Sequence, residues 1–213
     1  MDIPYNYAVI EGCIGAGKTT LSTKIAEDLN TNLILERFAD NSFLPKFYED
    51  PEHYAFPLEM SFLSDRYQQL KNFQRDVFKS SLIIADYFIN KCIIFSKNNL
   101  KGDEYSLYLK IANLIFDALP KPDLMIYLYN SIERLQQNIS VRGRDYERNI
   151  SPEYLSNIQE GYMNYLNHYN PEIPILIVDA HNLDFVKNPN DYEKLKSLLY
   201  NTYPKGINRI TDL

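Results

Sequence analysis

The chain has 213 residues, a formal net charge of −6 and 45% hydrophobic residues. That length suits one α/β domain with a sizeable core, and that hydrophobic content excludes a disordered chain. The acidic balance disfavours a nucleic-acid or anionic-membrane surface, no apolar run approaches a membrane span, and the N-terminus lacks a signal-peptide pattern. The two cysteines, Cys13 and Cys92, argue against a disulfide framework and for a reducing, cytoplasmic compartment.

Tyr7–Ile10 is a short apolar run that reads as a buried strand. It leads into Gly12-Cys13-Ile14-Gly15-Ala16-Gly17-Lys18-Thr19, a complete phosphate-binding loop of the form G-x-x-x-x-G-K-[ST]. Its glycines let the backbone turn sharply, so that N–H groups face phosphate oxygens. Leu21, Ile25, Ala26 and Leu29 then recur at helical spacing, which sets bound phosphate on a helix N-terminus. Gly12, Gly15, Ala16, Gly17, Lys18, Thr19 and Thr20 are therefore expected to cradle a nucleotide. Lys18 would reach the β- and γ-phosphates and the Thr19 hydroxyl would hold Mg²⁺.

Apolar runs at Leu33–Leu35, Leu82–Ala85, Leu124–Leu128 and Ile175–Val178 bring the expected strands to five, with helical patterns between them. Strands alternating with helices predict a parallel sheet with right-handed crossovers. Tyr54–Val77 reads as a long helix with Phe56, Met60, Leu63, Tyr67 and Leu70 on one face, and Glu104–Leu119 as another. Two such helices can build a substrate cleft on one side and a dimer contact on the other.

Three of these runs end in an acid: Glu36, Asp86 and Asp179. In an open parallel sheet, ligands bind beyond the carboxyl ends of the strands. A single strand-end acid also reads as a helix cap or solvated turn. Two beside a phosphate loop fit phosphoryl transfer, which needs a Mg²⁺ ligand and a group to orient the attacking hydroxyl. Asp86 and Glu36 are expected in those roles, and Asp179 is expected to be structural. Further on, Arg142, Arg144 and Arg148 fall within seven residues after an amphipathic helix. Such a run reads either as a solvated helix end or as a segment that neutralises transition-state charge, and Gly143 argues for a bend between Arg142 and Arg144.

Together these residues resemble the deoxynucleoside kinases, over nearly the whole chain. The resemblance implies one domain spanning residues 1–213, of the P-loop nucleoside-kinase type, with an arginine-bearing lid at about 140–150. It implies transfer of the ATP γ-phosphate to a deoxynucleoside 5′-hydroxyl, with Mg²⁺, in a homodimer. Glu36 stands where the family has its general base. Tyr48, in Phe47-Tyr48-Glu49-Asp50-Pro51-Glu52-His53-Tyr54, would meet the sugar 3′-hydroxyl. Arg142, Arg144 and Glu147 look like the lid, with Glu147 on the sugar. Arg66 matches a family arginine near the base. Leu58-Glu59-Met60 and Ile84-Ala85-Asp86-Tyr87 are similar to the bacterial deoxyguanosine and deoxyadenosine kinase branch.

Glu59 replaces a glutamine common in the family. A carboxylate offers two acceptors, and guanine presents a ring N–H beside an exocyclic amine, so a bidentate pair follows. Adenine would set lone pair against lone pair unless the acid were protonated. An unmatched buried polar group costs about 1–3 kcal/mol, which predicts guanine over adenine. The alternative is a helix-surface acid. Two departures from the family stand out. Tyr87 occupies the place of an arginine that holds phosphate and base, and Asn138 that of another basic residue. Lys91, expected one helical turn beyond Tyr87, is the candidate to supply the missing charge; the alternative is a solvated lysine. Rival activities are a nucleoside-monophosphate kinase, which the acidic surroundings of Glu36 and Glu59 disfavour, and a non-catalytic nucleotide-binding subunit, which Tyr87 motivates. A GTPase switch lacks its Asn-Lys-x-Asp motif.

Overall fold

The computed structural model describes residues 2–38, 41–73, 82–168 and 172–211. Its strands are β1 (Tyr7–Gly12), β2 (Asn32–Ile34), β3 (Ile83–Ala85), β4 (Leu124–Tyr129), β5 (Pro174–Asp179) and β6 (Gly206–Ile210). They form one sheet in the order β2-β3-β1-β4-β5-β6, and every pairing is parallel. β1 and β3 are buried throughout and β4 at all but its last residue, which is why they read as continuous apolar runs rather than alternating ones.

Around the sheet lie α1 (Lys18–Asp28), α2 (Phe43–Glu49), α3 (Pro51–Phe73), α4 (Lys91–Asn99), α5 (Gly102–Phe116), α6 (Ile132–Arg142), α7 (Pro152–His168) and α8 (Pro189–Ser197). A 3-10 turn follows α6 at Asp145–Glu147. Among the described residues no helix is long and apolar enough to cross a membrane.

The parallel α/β architecture is as expected, but the sheet has six strands, not five. The additional strand, β6, lies at the edge, and its residues alternate between half-buried and exposed. Asn208 and Arg209 interrupt its apolar residues, so it offers no continuous run to read. The first long helix starts at Pro51 rather than Tyr54. Proline suits a first helical position because its missing N–H would be unsatisfied there, and Asp50 accepts from the His53 N–H at 3.4 Å. Residues 74–77 of the predicted helix lie outside the described residues. The second long helix closes at Phe116, three residues before Leu119, because Pro120 and Pro122 bar its continuation.

The strand order reverses at β1, which has β3 on one side and β4 on the other. A crevice opens at such a point, beyond the strand ends. The loop after β1, the acid after β3 and the segment after β2 all lead into it.

Candidate active site

Backbone geometry shapes the phosphate loop first. Gly15 and Gly17 have φ of +84° and +88°, a region that side chains avoid. A Cβ on Gly15 would lie 2.6 Å from the Leu135 carbonyl, and one on Gly17 2.6 Å from the Phe185 ring. Helix α1 starts directly at Lys18, so its unpaired N–H groups point into the loop. Lys18 Nζ folds back on the carbonyls of Gly12 and Cys13, at 2.9 and 3.0 Å. Burial lowers its pKa, so the ammonium is poorly solvated and suited to an anionic partner. Asn138 donates to the Gly15 carbonyl at 2.8 Å and so ties α6 to the loop.

Asp86 joins the two halves of the site. Its Oδ2 accepts from the Thr19 hydroxyl at 2.5 Å and its Oδ1 from the Glu36 backbone N–H at 2.7 Å. The proposed metal-holding pair is thus already in contact. Among the described residues no cluster of three or more acidic, His or Cys side chains could hold a metal by itself. One hydroxyl and one carboxylate beside a phosphate cradle suit Mg²⁺, which keeps waters and takes few protein ligands. Burial raises the Asp86 pKa, with Thr19 opposing.

The Glu36 carboxylate carries two cations. Arg66 donates to Oε1 through Nε at 2.9 Å and also through Nη2, while Lys91 Nζ reaches Oε2 at 2.9 Å. Burial would raise this acid, but Arg66 and Lys91 outweigh it and hold its pKa well below the usual carboxylate range. A carboxylate offers about four lone-pair positions. Arg66 fills both on Oε1 and Lys91 one on Oε2, which leaves one for a hydroxyl.

Lys91 therefore reaches the site as predicted, but not by the predicted route. Tyr87 lies before α4, which begins only at Lys91, so the two do not share a helix face. Tyr87 is fully buried and donates to Gln69 Oε1 at 3.0 Å, and Gln69 donates on to the Leu35 carbonyl at 3.0 Å. It braces the segment before Glu36 from behind. Arg66, expected near the base, lines the same cleft as Glu59, grips Glu36 and donates to Cys92 Sγ at 2.8 Å.

Helix α6 ends with Gly143 at φ +72°, a left-handed helix cap, and the chain turns back over the cleft. Arg142 and Arg144 both pair with Glu147, which is 4% exposed, and Arg144 stacks 3.7 Å above the Phe38 ring. Tyr48 stacks on Tyr146 of the same segment at 6.2 Å. A cleft with about 740 Å³ of empty space brings together Glu36, Tyr48, Glu59, Arg66, Asp86, Lys91 and Glu147. A second cavity is lined by Gly15, Ala16, Gly17, Lys18, Thr19 and Thr20. Lys18, Thr19, Arg142 and Arg144 line both, so the cavities meet at the residues suited to a transferred phosphoryl group. Gly12 contributes through its carbonyl to Lys18. Asp179 lines neither cavity and pairs with His181 at 2.5 Å, in keeping with a structural role.

Sequence reasoning missed two groups of residues. Glu11, fully buried, accepts from the N–H groups of Gly12 and Phe88 and from the Tyr162 hydroxyl, at 3.0, 2.7 and 3.1 Å. It fastens the phosphate loop to the loop carrying Asp86. Its position at the end of an apolar strand was the available signal. Asn99 holds Glu59 and Tyr154 in turn holds Asn99, and nothing in their local sequence marks them.

A family model described as deoxynucleoside kinase matches residues 8–203. A deoxyguanosine kinase of Bacillus subtilis (strain 168) is 38% identical, covering 89% of this chain and 93% of the relative. A deoxyadenosine kinase of Dictyostelium discoideum is 33% identical, covering 81% and 71%. Among solved structures, a deoxyadenosine kinase from M. mycoides with bound dATP superposes with a TM-score of 0.79 at 27% identity, covering 91% of this chain and 98% of that one.

Proposed function

The chain belongs to the deoxynucleoside kinase family, and from that premise we propose that it transfers the γ-phosphoryl group of ATP to the 5′-hydroxyl of a deoxypurine nucleoside, deoxyguanosine preferred. The observation that carries the reading is Glu36, held by Arg66 and Lys91 beside the Asp86–Thr19 pair, in a cleft that Glu59 also lines.

The acceptor hydroxyl takes the remaining Glu36 lone pair and is aligned with the phosphoryl group. An alcohol is too weak an acid to ionise first, so its proton moves to Glu36 late, as the bond to phosphorus forms. The depressed Glu36 pKa fits orientation first and proton acceptance second. Loop N–H groups and Lys18 hold the phosphates, and Arg142 and Arg144 neutralise charge on the transferred group. Mg²⁺, held by Thr19 and Asp86, would neutralise charge on the phosphate oxygens. The folded segment over the cleft excludes water, which would otherwise compete as acceptor. Tyr48 and Glu147 face the cleft where the sugar would lie.

The arginine missing at position 87 does not favour a non-catalytic subunit, since Arg66 and Lys91 supply two buried cations at Glu36. A coupled ADP-release assay with each deoxynucleoside tests the proposal. Turnover is expected to be highest with deoxyguanosine. Absence of turnover with every deoxynucleoside, despite tight ATP binding, would overturn it.

The proposal extends to one domain in a cytoplasmic homodimer. Cys13 and Cys92 are free and buried, as a reducing compartment allows. Leu107 and Leu114 are 49% and 82% exposed on one stripe of α5, with Ile111 between them, a face suited to a second copy. Leu114→Glu is expected to yield monomers by sedimentation, and an unchanged sedimentation coefficient would exclude this face.

A further inference from the structure

Glu59 lies on α3 with its carboxyl facing the cleft, 2% exposed. Its two oxygens are not equivalent. Oε1 accepts from Asn99 Nδ2 at 2.7 Å, whereas the buried Oε2 has no hydrogen-bond partner among the described residues. Asn99 is itself oriented, since its Oδ1 receives the Tyr154 hydroxyl at 3.2 Å and Asn98 Nδ2 at 2.9 Å. With its acceptor end engaged twice, Asn99 presents an N–H to Glu59. A carboxylic proton has no place on an oxygen that already faces a donor, so protonation of Glu59 falls on Oε2.

We propose that Asn99 is a positioning residue which makes Glu59 Oε2 a one-proton reader of both purines. Ring nitrogen 1 is a donor in guanine and an acceptor in adenine. The charged carboxylate accepts the N1–H of guanine, and the neutral acid donates its Oε2 proton to N1 of adenine. This rests on the assignment of Glu59 to the base made above, and it adds how the same side chain admits the second purine. Relatives named deoxyguanosine kinase and deoxyadenosine kinase both match the chain.

The surroundings hold Glu59 near the balance point. Burial pushes its pKa up to about 7, with Asn99, Arg66 and Lys91 opposing and Glu36 adding to the rise. Cys92 on α4, Tyr108 on α5 and Tyr154 on α7 also face it. Burial raises all three, so they stay uncharged across the neutral range.

The test is the pH profile of specificity in the full chain. Values of kcat/KM for deoxyguanosine, deoxyinosine and deoxyadenosine are measured from about pH 6 to about pH 8, where neither purine ionises. The ratio of deoxyadenosine to deoxyguanosine follows the ratio of neutral to charged Glu59, so it is expected to fall about tenfold per pH unit. Effects of Glu36, Lys91 and the donor cancel in that ratio. Deoxyinosine, which has the N1–H without the exocyclic amine, is expected to track deoxyguanosine. Asn99→Leu removes a donor that favours the charged form, so it is expected to raise the ratio at every pH. Tyr154→Phe, which frees Asn99, is expected to act in the same direction and serves if the first variant does not fold. Glu59→Gln is expected to give a pH-independent ratio.

Two failures are distinguishable. A flat wild-type ratio, with Glu59→Gln still selectively impairing deoxyguanosine, overturns the proton reading and leaves Glu59 on the base. A flat ratio with Glu59→Gln altering no preference removes Glu59 from base recognition altogether. No turnover of deoxyadenosine at about pH 6 also overturns the proposal.

Discussion

Lys91→Met is the sharpest probe of the charge balance at the proposed catalytic centre. Lys91 is 4% exposed, and its ammonium lies 2.9 Å from Glu36 Oε2. Methionine has similar length and keeps the contact with the Phe95 ring, over which the ammonium lies at 5.4 Å. The stability cost is bounded because Glu36 retains Arg66 and is not orphaned. It should resemble one lost charge-assisted hydrogen bond, about 1.5–3 kcal/mol, rather than the 3–5 kcal/mol of a broken buried pair. For a chain of this size that is roughly 4–10 °C in Tm. The catalytic cost is larger. On the proposed role, a unit charge about 4 Å from the transferred group would contribute roughly 4 kcal/mol at an effective dielectric near 20, and loss of a preorganised donor costs about 10²–10³ in kcat. Coupled ADP release should therefore show kcat down about 10²–10³-fold with the nucleoside KM little changed. Lys121→Met, at an exposed position, is the control. A kcat within about threefold of wild type, in a variant that melts cooperatively, refutes the assignment of Lys91 to the transition state.

Glu36→Gln is expected to keep nucleoside affinity within a fewfold and lower kcat by about 10²–10⁴, the range of a lost general base; retained turnover removes Glu36 from the mechanism. Glu59 predicts an opposite pH trend in stability to that of a paired carboxylate. Its folded pKa, about 7, lies above its unfolded value, so the folded state holds the extra proton. Its contribution is complete below the unfolded pKa, near 4.3, and is lost as pH rises through about 7, amounting to about 2–4 kcal/mol. Without ligand, wild-type Tm should fall from about pH 5 to about pH 8 relative to Glu59→Gln, and parallel profiles would contradict the burial argument. Tyr87→Phe should cost about 1 kcal/mol for the hydrogen bond to Gln69 and leave kcat within about threefold; a tenfold loss would show that its hydroxyl acts at the site.

Local signals were legible in the sequence and distant ones were not. The phosphate loop could be read because strand, glycines, lysine and helix are contiguous and each has a backbone task. Buried strands could be read because both of their faces are covered. β6 could not, since an edge strand needs apolar residues on one face only, and Asn208 on its half-buried face and Ile207 on its exposed face break even that pattern. The partner of Arg66 could not be read for a related reason. Its helix face was placed toward the cleft, and there its guanidinium pairs with Glu36 while lining the same cleft as Glu59. Without that cation a buried Glu36 would carry uncompensated charge.

Position 87 shows why residue type and function can separate. The proposed chemistry requires positive charge at Glu36, not an arginine at one place in the chain. Here Lys91 brings charge to Glu36 from 55 residues beyond it, and Arg66 from 30 beyond it. Position 87 holds a tyrosine that braces the strand end from within the core. The same logic governs Glu59, whose partner Asn99 lies 40 residues away, and Glu11, whose partner Phe88 lies 77 away. In each case the acid could be flagged from sequence because a carboxylate in an apolar context demands a partner. The partner could not be named, since it arrives through a separate element of the fold. Burial without that partner would push each acid toward its neutral form. At Glu36 two cations prevent this, and at Glu59 a single amide leaves the proton free to come and go.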